Sequence, residues 1–146
     1  MSSNAGYGFR VQFKELFSKN KAGKAVLTLP QGAKVMTPTL IPQGADLLAV
    51  ATLQGRLLIF PAQDLPELAK GKGNKLIQIP GADITAGKDE VVAITGLAAG
   101  GELKILSGKR HVTLKGADIE QYTGHRANRG NALPRGFQKV DGLESA

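Results

Sequence analysis

Two β-forming runs separated by a short, basic, glycine-rich loop recur along this chain, and that recurrence constrains its fold more than any other feature. The unit is plainest from Gly55 to Pro80. Leu57-Leu58-Ile59-Phe60 follows the turn glycine Gly55 and reads as a strand that Pro61 ends. Asp64-Leu65-Pro66-Glu67-Leu68 leaves room for one short helical turn, because a proline cannot sit in a helix interior. Lys70-Gly71-Lys72-Gly73-Asn74-Lys75 then makes an exposed loop, and Leu76-Ile77-Gln78-Ile79 is expected to be the closing strand before Pro80.

The same order appears upstream and downstream. Gly8-Phe9-Arg10-Val11-Gln12-Phe13 is the first opening strand, Glu15-Leu16 the turn, Lys19-Asn20-Lys21-Ala22-Gly23-Lys24 the basic loop and Ala25-Val26-Leu27-Thr28-Leu29-Pro30 the closing strand. In the third unit Gly108-Lys109-Arg110-His111-Val112-Thr113-Leu114 opens and Asp118-Ile119 turns. His125-Arg126-Ala127-Asn128-Arg129-Gly130 is its loop, and Phe137-Gln138-Lys139-Val140 closes it. Gly8, Gly55 and Gly108 recur at a period of about 50 residues, which with several strands per unit predicts a propeller-like array.

Between the units, Leu47-Leu48-Ala49-Val50-Ala51-Thr52 is apolar on both faces and predicts a central, buried strand. Val91-Val92-Ala93-Ile94-Thr95 and Leu103-Lys104-Ile105-Leu106 predict two more, and residues 33–36 a short one. The reading is therefore all-β: one domain over residues 1–146, with units at about 6–54, 55–107 and 108–142 of four strands each. No helix exceeds two turns. Residues 1–6 read as the end of a strand running into the first unit, and residues 141–146 are expected to fray.

The core must rest on Leu, Val, Ile and Ala, since the chain has no tryptophan and only 5% aromatic residues. At 146 residues and 42% hydrophobic it is long and apolar enough for one compact body. Without cysteine there is neither a disulfide framework nor a thiolate metal site, which suits the cytosol. No apolar run approaches the ~20 residues of a membrane-spanning helix, and no signal peptide opens the chain. Nineteen Lys and Arg against twelve Asp and Glu give a formal charge of +7. Solubility alone accounts for such an excess, but its placement says more. The three loops hold cations and no acid, and one rim of such loops suits a polyanion.

Motifs for chemistry are missing from this pattern. Gly81-Ala82-Asp83-Ile84-Thr85-Ala86-Gly87-Lys88-Asp89 has one residue too many between its glycines for a phosphate-binding P-loop. It also has Asp89 where a magnesium-binding Ser or Thr belongs. His111 and His125 have no acid at metal-ligand spacing, and both read as surface residues. Packing accounts for Tyr7 and Tyr122. No acid–base pair, Ser–His–Asp set or metal cluster emerges, so the residues point to a binding module.

The residues quoted above, from Gly6-Tyr7-Gly8-Phe9 and Asn20-Lys21-Ala22-Gly23-Lys24 through Gly55-Arg56-Leu57-Leu58-Ile59-Phe60 and Lys70 to Lys75, resemble the C-terminal domain of ParC, the A subunit of bacterial DNA topoisomerase IV. Gly108-Lys109-Arg110 and the ending around Arg126, Arg129-Gly130 and Arg135-Gly136 extend the likeness over nearly the whole chain. The resemblance implies a β-pinwheel, a propeller-like disc whose blades exchange strands, with a basic rim that binds duplex DNA. Three four-stranded blades are fewer than the five or so of the complete domain, so an incomplete disc with an unpaired edge is expected. The rim residues expected to reach DNA are Lys19, Lys21, Lys24, Arg56, Lys70, Lys72, Lys75, Lys109, Arg110, Arg126, Arg129 and Arg135.

By the same resemblance the domain is non-catalytic and holds no cofactor. ATP, Mg2+ and the active-site tyrosine belong to other parts of an ATP-dependent type IIA topoisomerase. Duplex DNA is the implied partner, with the B subunit of topoisomerase IV joining through the rest of the enzyme in a heterotetramer and no small-molecule substrate. A condensin-type chromosome protein is a further implied partner. The implied location is the cytoplasm, with the chromosome, and peripherally the inner face of the membrane. The alternative relative, the C-terminal domain of gyrase A, carries a Gln-Arg-Arg-Gly-Gly-Lys-Gly box that locks its disc and wraps DNA. Lys70-Gly71-Lys72-Gly73 and Asn128-Arg129-Gly130 are at most remnants of it, which favours topoisomerase IV.

Overall fold

A computed structural model describes residues 1–145 apart from 20, 22, 24, 31, 42, 43, 99, 135 and 138. In chain order its elements are β1 (Tyr7–Gly8), a 3-10 turn (Phe13–Leu16), β2 (Leu47–Thr52), β3 (Arg56–Pro61), a second 3-10 turn (Ala62–Asp64) and β4 (Asn74–Lys75). Then follow α1 (Gly81–Thr85), β5 (Val91–Leu97), β6 (Leu103–Ser107), β7 (Arg110–Leu114), α2 (Ala117–Tyr122), β8 (Asn131–Ala132) and β9 (Gly142–Ser145).

The β2–β3 hairpin lies at the centre, as its uninterrupted apolar residues require. Side chains alternate across a strand, so Leu48, Val50, Leu58 and Phe60 share one face while Ala49, Ala51, Leu57 and Ile59 share the other. Both faces are buried. On the first side Leu65, Leu76, Ile77 and Ile79 close over the sheet. On the second lie Leu97, Leu103, Ile105, Leu114, Ile119, Tyr122, Leu133 and Val140. Burying a side chain such as Leu57 or Ile59 contributes about 1.5–3 kcal/mol. The hairpin turn is fixed by Gly55 (φ 81°) and by the carboxylate of Asp89, which accepts the Gln54 and Glu90 N–H groups at 3.1 and 3.0 Å.

Each sheet follows one plan. The central sheet has the order β5-β2-β3-β8, all antiparallel, so the hairpin takes its outer strands from later stretches of the chain. The first sheet pairs β1 with β4, and the bridges Ser2↔Gly8 and Ser3↔Val35 extend it in the same antiparallel order. The third sheet, β7-β6-β9, has the first three positions of that order. This is a β-pinwheel arrangement of propeller-like sheets that exchange strands. Gly6 (φ 89°), rather than Gly8, is the first-sheet counterpart of Gly55, since each precedes the inner strand that receives the outer one.

Several expected strands are absent or displaced. The opening strand at residues 8–13 stops at Gly8, because Arg10 instead donates its N–H to the Pro66 carbonyl and accepts the Leu68 N–H, in a parallel bridge with Glu67. Leu76, Ile77 and Ile79 are buried, but residues 76–79 make no ladder. Leu76 donates to the Gly6 carbonyl at 2.6 Å, and its own carbonyl accepts the Ala127 N–H at 3.0 Å. The described residues of 25–30 form only the Leu27↔Gly71 bridge, and residues 33–36 only the Ser3↔Val35 bridge. Val140 is core but not strand. The expected frayed end is instead β9, held to β6 from Leu106↔Gly142 to Leu103↔Ser145, and residues 2–3 are bridged and buried.

Candidate nucleic-acid interface

Main-chain bonds tie the second and third basic loops to the segments that follow the first and second. Gly71 donates to the Val26 carbonyl and its own carbonyl accepts the Thr28 N–H, both at 2.8 Å, so the segment after the first loop lies against the second. The second loop runs into β4, which pairs Tyr7↔Lys75 and Gly8↔Asn74. The third loop docks on the chain just beyond. Gln78 donates to the Asn128 carbonyl at 2.9 Å, beside the Ala127–Leu76 bond already described. The loop then enters β8, which pairs Arg56↔Ala132 and Leu57↔Asn131. Gly73-Asn74 and Gly130-Asn131 thus occupy equivalent places at the outer edges of neighbouring sheets.

The glycines in these loops serve this close approach. A Cβ on Gly73 (φ +80°) would lie 2.0 Å from the Gly8 carbonyl oxygen, and one on Gly130 (φ +76°) 2.6 Å from that of Leu57. Only a residue without a side chain fits. At these two positions glycine serves the packing of backbone on backbone.

Lys19, Lys21, Lys70, Lys72 and Arg129 are exposed. Lys75 is half-buried on β4, its Nζ donating to Gln78 Oε1 at 2.9 Å. Arg126 and Arg56 are half-buried and turn inward. Arg126 Nη1 donates to the Lys75 carbonyl at 2.7 Å, and Arg56 Nη1 to the Gly130 carbonyl at 3.0 Å. Both arginines clamp the seams between loops and sheets. Lys109 and Arg110 are exposed at the β6–β7 turn of the third sheet, with Arg110 near Gly136, and among the described residues no hydrogen bond joins them to the other loops. Lys24 and Arg135 lie outside the described residues. The expectation from sequence missed Tyr7, whose ring has Lys72 Nζ 4.5 Å and Lys75 Nζ 5.9 Å from its centroid. The recurring pairs Gly6-Tyr7 and Gly55-Arg56, each opposite a Gly-Asn pair, were the available signal.

Carboxylates are sparse in this region. Among the described residues the ion pair Lys115–Glu102, at 3.1 Å, lies outside the loops, and the loop cations have no carboxylate within ion-pair distance. Exposed cations of this kind attract a polyanion, and the attraction loses strength as salt rises. Among the described residues no three His, Cys, Asp or Glu side chains come together as a metal site. His111 and His125 are exposed. Tyr122 is buried in the core with its hydroxyl 3.3 Å from the Ala132 carbonyl. Burial, and secondarily the Asp118 carboxylate, push its phenol above the ordinary value. Gly81–Thr85 forms α1, too short for a P-loop helix.

The family model described as DNA gyrase C-terminal domain, beta-propeller, matches residues 1–42 and 46–95. The chain belongs to that family. Within it, the chain is 49% identical over 144 residues to the A subunit of DNA topoisomerase 4 from Pseudomonas aeruginosa, covering 98% of this chain and 19% of the relative. It is 44% identical to that of Escherichia coli K12, covering 99% and 19%. The solved E. coli ParC C-terminal domain superposes with a TM-score of 0.89 at 43% identity, covering all of this chain and 59% of that one. A DNA gyrase A C-terminal domain shares the fold, with a TM-score of 0.74 at 15% identity, covering 99% of this chain and 47% of that one. The chain spans about a fifth of the length of the curated relatives it matches. Among the described residues no helix is long and apolar enough to cross a membrane.

Proposed function

We propose that this chain binds duplex DNA without sequence preference, as the C-terminal domain of a topoisomerase IV ParC protein. One observation carries the reading: main-chain bonds tie the basic loops to the segments flanking their neighbours, and among the described residues the loop cations have no carboxylate within ion-pair distance. Exposed lysines on loops reach phosphates, and among the described residues no helix is long enough to lie in a groove against base edges. α1 and α2 are five and six residues long. The units at about 6–54, 55–107 and 108–142 each supply one of these loops. Lys19, Lys21, Lys70, Lys72 and Arg129 are the contacts best supported by exposure, and half-buried Lys75 by its place on β4. Lys109 and Arg110 supply a further stretch of rim.

In the whole enzyme this surface would hold a duplex beside the one being cut, aiding strand passage, decatenation and supercoil relaxation as chromosomes segregate in the cytoplasm. The B subunit, ATP, Mg2+ and the cleaving tyrosine would act through other parts of the enzyme. A condensin-type partner finds no support in the likenesses above. Modest bending is expected in place of a full wrap, since the gyrase box is reduced to remnants. Removing the region should therefore lower activity on positively supercoiled or catenated DNA more than on negatively supercoiled DNA.

The direct test is fluorescence anisotropy of the 146-residue chain with labelled duplexes of unrelated sequence. Dissociation constants of roughly 10⁻⁴ to 10⁻⁶ M near physiological salt, similar across sequences, are expected. Binding confined to one sequence would overturn the reading.

A further inference from the structure

Tyr7 and Arg56 occupy equivalent positions. Each follows a turn glycine of positive φ and each faces an incoming Gly-Asn strand. Their chemistry differs. Arg56 locks its seam by donating to the Gly130 carbonyl. Tyr7 instead offers a half-buried ring to two ammonium groups, Lys72 at 4.5 Å and Lys75 at 5.9 Å from the centroid. A cation within about 6 Å of a ring is drawn to its negative face.

The surroundings fix this arrangement. Tyr7 and Lys75 are directly opposed across the β1–β4 pair, and the Gly73–Gly8 backbone approach pins the residue next to Lys72. Lys75 is held further by Gln78, and its carbonyl by Arg126. Two like charges therefore share one ring with no carboxylate within ion-pair distance, although like charges at this spacing repel. An anion placed between the two ammonium groups would relieve that repulsion.

We infer that Tyr7 is a positioning residue that presents Lys72 and Lys75 as a preformed pair to the phosphodiester backbone of the duplex. The inference rests on the DNA-binding reading above and adds a residue that carries no charge. Ordering two long, flexible side chains before contact removes part of the entropy cost of binding. The ring should therefore affect affinity without changing the number of phosphates neutralised.

The test compares Tyr7→Phe and Tyr7→Leu in the 146-residue chain and in a Lys72→Ala, Lys75→Ala background, by anisotropy over a salt series. Tyr7→Phe keeps the ring and should bind like the native chain. Tyr7→Leu should weaken binding by about two- to fivefold at every salt concentration, with an unchanged slope of log affinity against log salt. In the double-Ala background the same substitution should have no effect, which a merely structural role would not produce. Equal losses in both backgrounds, or equal affinity of the Phe and Leu variants, would overturn the role of Tyr7 while leaving DNA binding intact. No binding by the native chain at any salt would overturn the underlying function, and this role with it.

Discussion

Replacing Gly73 by alanine tests whether the rim is built by the close approach of two backbones. An added Cβ would meet the Gly8 oxygen at 2.0 Å and carbon at 2.3 Å, whereas ordinary contact begins at 3.4 Å, so β1 and β4 must part. A left-handed φ costs a non-glycine residue about 1–2 kcal/mol. Parting the strands also forfeits the β1–β4 pairing and the bond from Leu76 to Gly6, at about 1 kcal/mol net per bond. The total is about 3–5 kcal/mol, a large part of a stability of about 5–15 kcal/mol. Gly87→Ala is the matched control. Its φ is +69°, but a Cβ there meets nothing within 4 Å, so only the backbone strain of about 1–2 kcal/mol applies. In urea unfolding followed by circular dichroism, Gly73→Ala should lower the midpoint by about 2 M and Gly87→Ala by no more than about 1 M. Equal shifts would refute the close approach.

Other side chains give sharp expectations too. The pKa of Tyr122 is raised by burial in the folded state, so its contribution to stability is fully present below the unfolded value near 10 and is lost as pH rises through the folded value. Tyr122→Phe should therefore lose less stability than the native chain between about pH 9 and 11, read from urea midpoints. Arg126→Met removes the N–H held by the Lys75 carbonyl and should cost about 1–3 kcal/mol. A stability unchanged by that substitution would show that the seam does not depend on it.

The longer strands were legible because their side chains decide them. Leu47–Thr52, Arg56–Pro61, Val91–Leu97, Leu103–Ser107 and Arg110–Leu114 carry the apolar and β-branched residues a packed sheet requires. The outer strands were not legible for a physical reason. Asn74-Lys75, Asn131-Ala132 and Gly142–Ser145 are polar, and they become strands because a partner edge lies within reach of their main chain. Conversely, Leu76, Ile77 and Ile79 look like a strand and are core without a ladder, since main-chain groups of this segment find single partners on Gly6, Ala127 and Asn128. The cations of the site could be read directly. Whether each faces water or a carbonyl could not, because Arg56 and Arg126 are turned inward by neighbours far away in sequence. Tyr7 acquires its two lysines only through the register of β1 with β4.

The claim that the basic loops carry the DNA is tested most directly by the salt dependence of duplex binding when Lys70, Lys72 and Lys75 are all changed to Ala. Each phosphate contact adds about 0.9 to the slope of log affinity against log salt, so the triple variant should lose about 2.7 units of slope while remaining folded. A folded triple variant with the native slope would contradict the account and place the DNA on another face.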